Sequence, residues 1–222
     1  MSGCPRGGLC AAALILFALG APAARAADAE TRDFSVSVAG KPVGEVHLTI
    51  KPRDDGTITV NCDTDIYVNM LIGKYKFVFR GQEEWKNRRL VKFASNTDDN
   101  GKQFIVSGKA EPAGVRVKVN NAEKLVKSEV WLTTYWCLPD PKFRGKELTI
   151  LDADNGKVMA ATLKYVATEK LKLGGKELTL NRYRLSGGVK MDLWFDGADR
   201  LIRQEWVEQG HKTVVELTGV RK

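Results

Sequence analysis

The stretch ITVNCDTDIYVNM, residues 58–70, decides the fold class of this chain. Its even positions carry apolar side chains and one threonine, and its odd positions are polar apart from Tyr67. A repeat of two residues puts one set on each face of a strand, and its persistence over all of residues 58–70 does not fit the period of a helix. The pattern predicts a long strand whose even face, including Cys62, is buried.

Shorter alternating segments flank this strand, and turn residues separate them. Residues 34–38 and 46–50 lie on either side of a turn at residues 40–42 (GKP), and Asn100 with Gly101 marks the tip of a hairpin. Turn residues recur about every 8 to 12 positions along the chain, a spacing typical of antiparallel meanders. The sequence therefore predicts a mainly β protein, an antiparallel sheet with little helix.

Residues 121–136 break the rhythm. Asn121 belongs to a residue type that caps helices, and Leu125, Val126 and Val130 have partial helical spacing. Residues 130–136 (VWLTTYW) are instead rich in strand-forming types. We expect a helix after Asn121, followed by an extended segment.

The first 26 residues have the layout of a secretory signal peptide. Met1 and Arg6 form a positive start, residues 9–20 are apolar without interruption, and residues 24–26 (ARA) form a small-x-small cleavage site. We therefore expect residues 1–26 to be a signal peptide and residues 27–222 to form a single antiparallel β domain.

Cleavage at this site predicts a soluble periplasmic protein with no transmembrane anchor. The leader is too short to span a bilayer, and no later apolar run approaches the roughly 20 residues that a membrane helix needs. Cys10 lies inside the apolar region rather than at its end, which argues against a lipid anchor. The remaining chain has 33 basic and 27 acidic residues, a net charge of +6. A basic surface suits anionic lipid head groups, and export argues against a nucleic-acid partner.

Cys62 and Cys137 are the two cysteines that remain after cleavage. An even number of cysteines in an oxidising compartment favours a disulfide, which would close a loop of roughly 75 residues and stabilise the fold by about 4 kcal/mol. The alternative is a pair of free buried thiols, and spacing alone does not decide between the two.

Catalytic and metal motifs are weak throughout the chain. With only His47 and His211, a Ser-His-Asp triad or a multi-histidine metal site is not expected. Residues 152–156 (DADNG) resemble a calcium loop, but position twelve is Leu163 rather than glutamate, so a turn explains them. We predict no catalytic residue, metal or cofactor. The carboxylate pair Asp63 and Asp65 is the one candidate for acid–base work.

Aromatic residues are densest at Trp131, Tyr135 and Trp136. Such clusters usually belong to a core, and they also line hydrophobic ligand clefts. If the aromatic cluster lines a cleft, we expect apolar side chains from the long strand to line it as well. The predicted ligand-binding residues are Ile66, Val68, Met70, Trp131, Tyr135 and Trp136.

Several short motifs occur in an order that resembles a known group of proteins. They are Phe34 and Val36, residues 39–44 (AGKPVG), residues 128–136 with Ser128, Trp131 and the TTYW sequence, residues 192–196 (DLWFD), Leu201 with Ile202, and Leu217. This order resembles uncharacterised exported bacterial proteins of unknown function, which are similar to LolA-like periplasmic half-barrel proteins. The resemblance implies a strongly curved antiparallel sheet, a half-barrel, whose concave face covers a helix or an apolar ligand. It carries over no catalytic residue.

Three functional hypotheses follow. The first is a periplasmic protein that binds a hydrophobic or lipid-like ligand against the concave sheet. The second is a protein-protein adaptor in cell-envelope assembly, which uses a strand edge or the basic face to bind an envelope protein. The third and weakest is a carboxylate-dependent hydrolase of envelope polymers that uses Asp63 and Asp65.

Overall fold

The computed structural model describes residues 28–70, 73–208 and 210–222. The predicted signal peptide, residues 1–26, lies outside the described residues. The side chain of Met70 is also outside them.

Fifteen strands account for most of the described chain. They are β1 (Glu30–Val38), β2 (Lys41–Pro52), β3 (Thr57–Met70), β4 (Gly73–Lys86), β5 (Arg89–Asp99), β6 (Lys102–Glu111), β7 (Gly114–Val119), β8 (Ala122–Val126), β9 (Val130–Leu132), β10 (Glu147–Leu151), β11 (Val158–Leu173), β12 (Lys176–Gly187), β13 (Met191–Phe195), β14 (Leu201–Glu208) and β15 (His211–Arg221). A single 3₁₀ turn spans Pro141–Phe143, and the described residues contain no α-helix.

All the strands belong to one curved sheet. Its order is β8-β7-β6-β5-β4-β3-β2-β1-β15-β14-β13-β12-β11-β10-β9. Every neighbouring pair is antiparallel except β9 and β10, which are parallel. The two end strands, β8 and β9, follow one another in the chain, and β9 contacts β5 across the concave side. The predicted class, a strongly curved and mainly antiparallel β sheet, is confirmed.

The alternation in residues 58–70 is the alternation of β3. Val60, Cys62 and Thr64 are buried, whereas Asp63 and Tyr67 are exposed. Because residues paired across strands share a face, the inner face continues through β4 opposite these positions. The long strand therefore forms part of the inner wall, as its pattern predicts.

The helix expected after Asn121 is wrong. Residues 122–126 form β8, which pairs with β7 through a two-residue turn at Asn120 and Asn121. Asn120 has a φ of 49°, a left-handed conformation that asparagine tolerates well in tight hairpin turns. Cross-strand packing of Val126 on Val115 decides this segment, since a five-residue piece gains little from helical propensity alone.

The concave side is filled largely by the chain itself. An inner segment, residues 130–140, runs along β9 and then turns back inside the sheet. Tyr135 allows the reversal with a φ of 45°, and its backbone N–H donates to the carbonyl of Leu132 at 3.2 Å. Trp131, Leu132, Tyr135 and Leu138 of this segment are all buried in the main hydrophobic core.

Candidate functional site: a cavity at the basal end

One end of the sheet holds a cavity of about 440 Å³. We call it the basal end, and define it by the β4–β5 turn (residues 86–89), the β6–β7 turn (residues 111–114) and the β13–β14 turn (residues 195–201). The cavity lies between the first two turns and the inner segment. Residues of the β6–β7 turn and of the inner segment both line it.

The floor of the cavity is apolar. The lining side chains of this type come from β4, β5, β7, the inner segment, the 3₁₀ turn and β10, namely Trp85, Leu90, Val115, Val130, Trp131, Leu138, Phe143 and Leu148. Pockets for small molecules typically measure about 300–1,000 Å³ and combine such linings with a few polar groups. The basal cavity therefore has the size and lining of a small-ligand pocket.

A β-bulge in β5 shapes the wall beside the cavity. The register between β4 and β5 shifts at Glu84 and Trp85, so that Trp85 pairs with Leu90 and Glu83 with Phe93. Leu90 and Phe93 both point inward as a result, although a regular strand would place residues three apart on opposite faces. The bulged Val91 is exposed. Trp85 and Leu90 thus meet side by side in the lining.

Trp85 is held in place by two inner partners. Its Nε1–H donates to Glu83 Oε2 at 2.6 Å. Its ring meets that of Trp136 edge to face, with centroids 6.2 Å apart. An oriented indole of this kind presents a fixed apolar surface to the cavity.

Glu83 is a buried carboxyl directly behind this lining. Its residue is only 2% exposed, and burial raises its pKa to about 7. The nearby Thr134 hydroxyl and the Trp85 N–H lower the pKa of Glu83, but by less than burial raises it. Neither Glu83 Oε1 nor Thr134 Oγ1 makes a hydrogen bond of good geometry. Glu83 therefore changes charge near neutral pH in contact with a cavity-lining tryptophan.

The position of Glu83 in the alternation of β4 indicates that its side chain faces inward. It stands two residues from Gly81 and Trp85, on the inner face of β4, whereas Glu84 points outward. A Cβ at Gly81 would lie 2.6 Å from the ring of Phe79, so the glycine makes room for that ring on the inner wall. The alternation of β4, with aromatic residues and glycine at its other odd positions and mostly charged residues at even ones, is the signal that could have placed Glu83 inside.

Basic side chains surround the mouth of the cavity, and two of them are neutralised. Arg88 Nη1 lies 3.0 Å from Asp199, and Arg89 Nη2 lies 3.2 Å from Glu129. Lys127 also lines the cavity and is exposed, but it forms no ion pair with any residue that the structure describes.

The acidic residues of the lining all have partners. Glu111 is bound by Arg116 at 2.7 Å, and Glu129 is also bound by Lys142 at 2.9 Å. Asp140 accepts a hydrogen bond from the backbone N–H of Lys142 at 3.0 Å. Glu111 and Glu129 are thus paired with cations, Asp140 has a backbone donor, and Lys127 has no ion-pair partner among the described residues.

The six predicted ligand-binding residues do not share one cavity. Trp131 lines the basal cavity, and Tyr135 packs on it with ring centroids 4.7 Å apart. Trp136 is buried behind Trp85. Ile66 and Val68 are half-buried at the opposite, apical end, where they pair with Phe77 and Tyr75. The backbone of Met70 lies at the same end, where it pairs with that of Gly73.

The predicted disulfide is absent, and Cys62 and Cys137 are both free thiols. Cys62 faces inward from the middle of β3 opposite Gly81, whereas Cys137 is held at the basal end by a bridge to Arg200. The backbone pairing of each segment thus keeps the two cysteines at different levels. Burial raises the pKa of Cys62, and it raises that of Cys137, which lines the cavity, to about 12. Both thiols are protonated and poorly nucleophilic at neutral pH.

The carboxylates considered for catalysis lie away from the cavity. Asp63 and Asp65 are on the outer face, where Arg80 binds Asp65 at 2.8 Å and approaches Asp63 to 3.8 Å. Residues 152–156 form the β10–β11 loop, in which the Asp152 carboxylate accepts from the backbone N–H of Asp154 at 2.9 Å and the side chain of Asn155 at 2.8 Å. Within residues 28–70, 73–208 and 210–222, no group of three or more ligating side chains is arranged to hold a metal ion. In the same ranges, no helix has the length and apolar character required to cross a bilayer.

Comparisons with known proteins place the fold and leave the activity open. The model of a domain of unknown function, DUF6134, matches residues 34–218. A comparison with curated proteins finds no match. Among solved structures, the chain is similar to a beta-barrel-like protein of domain of unknown function DUF1849 from Brucella abortus, with a TM-score of 0.62 and 9% identity. That similarity covers 86% of this chain and 96% of the other. At this identity it supports the barrel-like fold alone, and the more specific likeness to LolA stays a prediction.

Proposed function

Because this chain belongs to the DUF6134 family, a family of unknown function, we propose from the basal cavity that it is a binding protein for a hydrophobic or lipid-like ligand. The single observation that carries this proposal is the 440 Å³ cavity, with an apolar floor and a charged mouth. Its place at the open end of a curved sheet is a common position for ligand sites in barrel-like proteins.

The two tryptophans of the lining support binding over a purely structural role for the cavity. Trp85 and Trp131 are each about 5% exposed, and both border the cavity. Their N–H groups are already bonded, Trp85 to Glu83 and Trp131 to the carbonyl of Cys137 at 3.2 Å. They therefore offer apolar ring surface without a free hydrogen-bond donor, which suits an aliphatic or aromatic ligand.

Binding is favoured over hydrolysis by the position of the carboxylates. Asp63 and Asp65 share Arg80 on the outer face, and neither lines the basal cavity. Export to the periplasm is part of the proposal and rests on the leader in residues 1–26. N-terminal sequencing of protein from the periplasm of its own host tests it, with Ala27 expected as the first residue.

A neutral fluorescent probe tests the cavity itself. N-phenyl-1-naphthylamine should bind the wild-type protein with a rise in emission. Ala110 is exposed and lines the cavity, so Ala110→Trp fills it from the β6–β7 hairpin without disturbing the core. We expect probe affinity to fall by about tenfold or more in this variant, since the added indole occupies the apolar site.

The matched control is Ala198→Trp. Ala198 is also exposed at the basal end but does not line the cavity, so its substitution should leave probe binding unchanged. Equal binding by wild type and Ala110→Trp, or no binding by either, would contradict the proposal. Extraction of protein from its host, followed by lipid mass spectrometry, should recover a stoichiometric amphipathic compound.

A further inference from the structure

We infer that the ligand of the basal cavity is a single-chain amphipath with one anionic oxygen head group, such as a long-chain carboxylate, whose head lies beside Lys127. This inference rests on the proposed binding function and names the class of ligand. It comes from the donors and acceptors at one side of the cavity.

Lys127 is the one basic side chain of the lining that has no oppositely charged partner among the described residues. Arg88 is engaged by Asp199 and Arg89 by Glu129, whereas Lys127 lines the cavity with no acidic partner among the described residues. Glu111, Glu129 and Asp140 are each satisfied by other groups. A ligand with one negative charge would supply the counter-ion that Lys127 lacks.

A hydroxyl pair beside Lys127 adds a directional donor. Ser128 Oγ donates to Thr149 Oγ1 at 2.8 Å, and both residues line the cavity. A hydroxyl that accepts one hydrogen bond keeps its own proton for another acceptor. Thr149 therefore has a free O–H to offer in the same lining that contains Lys127. Two free donors select an acceptor oxygen such as that of a carboxylate.

The size of the cavity limits the apolar part of the ligand. At about 440 Å³ the cavity lies in the lower half of the range of about 300–1,000 Å³ for small-molecule pockets. Trp85, Leu90 and Trp131 provide its apolar floor. One acyl chain suits this volume better than the two chains of a phospholipid.

Three compounds with the same chain separate the head group from the tail. Myristic acid, its methyl ester and myristyl alcohol are titrated at pH 8 by displacement of N-phenyl-1-naphthylamine from the full protein. We expect the acid to bind about tenfold more tightly than the ester or alcohol, because a hydrogen bond to a charged partner contributes more than one to a neutral partner. Raising the salt concentration should weaken the acid alone.

Lys127→Gln should lower the affinity for the acid about tenfold, to the level of the ester, and leave the ester unchanged. Its matched control is Lys51→Gln, an equally exposed lysine on β2 outside the cavity, which should change neither. Thr149→Val should weaken the acid by a smaller factor. Thermal melts of each variant establish that the fold is intact.

The outcomes distinguish the inference from the function on which it rests. If neither the dye nor any of the three compounds binds, the proposed binding function fails. If all three bind equally, or Lys127→Gln and Lys51→Gln behave alike, ligand binding stands and the anionic head group beside Lys127 is overturned.

Discussion

The two ends of this sheet solve the same packing problem differently. At the apical end, the β10–β11 loop enters the concave side, where Ala153 is buried and its carbonyl accepts a hydrogen bond from Ser95 Oγ at 2.6 Å. At the basal end, the inner segment leaves a cavity beside the β6–β7 turn. The difference shows that small loop residues fill a curved sheet from inside where the chain enters it, and that a cavity stays where the chain does not.

Gly156 should produce the largest effect, because it breaks the apical packing. It has a φ of 74°, and a Cβ there would lie 2.2 Å from Val119 Cγ2. Gly156→Ala combines left-handed strain with overpacking, for an expected loss of about 3 kcal/mol in the free energy of unfolding. Urea denaturation measures it.

Gly40→Ala is the matched control for this prediction. Gly40 has a φ of 78° with nothing near its absent Cβ, so strain alone should cost about 1 kcal/mol. Equal losses for the two variants would show that the apical loop is not tightly packed against β7.

Glu83 should give the next largest effect and sharpens the account of the basal wall. Its folded pKa of about 7 lies above its ordinary value of 4.5. Its stabilising contribution is therefore full below pH 4.5 and is lost as the pH rises through about 7, because the unfolded state ionises first. The loss is up to about 3 kcal/mol at about 1.4 kcal/mol for each pKa unit.

Glu83→Gln removes this titration. The free energy of unfolding of the variant, relative to wild type, should rise between pH 4.5 and pH 8 in urea denaturation. Glu84→Gln, on the outer face, should show no such rise. A constant difference between wild type and Glu83→Gln across this range would mean that Glu83 is better solvated than its burial indicates.

Asp199 should have a smaller effect and tests how the basal end is held. One carboxylate oxygen, Oδ2, lies 3.0 Å from Arg88 and 2.7 Å from Arg144, and so links the β4–β5 turn to the chain after the inner segment. Asp199→Asn should cost about 1 kcal/mol, since these groups are partly exposed. The loss should shrink in high salt, and a salt-independent loss would point to packing instead.

The sequence predicts the strands of the sheet better than the segments that occupy its concave side. Alternation in residues 58–70 identifies β3 and its buried face, because a period of two residues is a local property. Trp131 lies beside the cavity, and its aromatic neighbourhood is likewise a local property; its role in binding stays a prediction. The reversal at Tyr135 lies inside the curved sheet, and the bulge at Val91 depends on the register of β5 against β4, so the alternation pattern alone does not reveal either of them.

The site was harder to predict than the fold. Ile66 and Val68 have the apolar alternation of an inner wall, but their height along the strand places them at the apical end. Ser128 and Thr149 come close only through the parallel pairing of β9 with β10. No local sequence pattern predicts that pairing, and the expectation of a helix after Asn121 pointed away from it.

The pairing of β1 with β15 has a consequence for how the chain folds. These strands join residues near the two termini, with Thr31 opposite Arg221, and they sit in the middle of the strand order. All other neighbouring strands in the sheet are consecutive in sequence. We therefore expect two meanders, β1–β8 and β9–β15, to form from short-range contacts. The β1–β15 pairing, the seam between them, should form slowly because it closes a long loop. A circular permutant that links Lys222 to Asp28 through a short glycine-serine loop, and opens the chain between β8 and β9, makes every pair of neighbouring strands consecutive in sequence, because β8 and β9 do not pair with each other. It should refold faster than the natural order while keeping the same sheet.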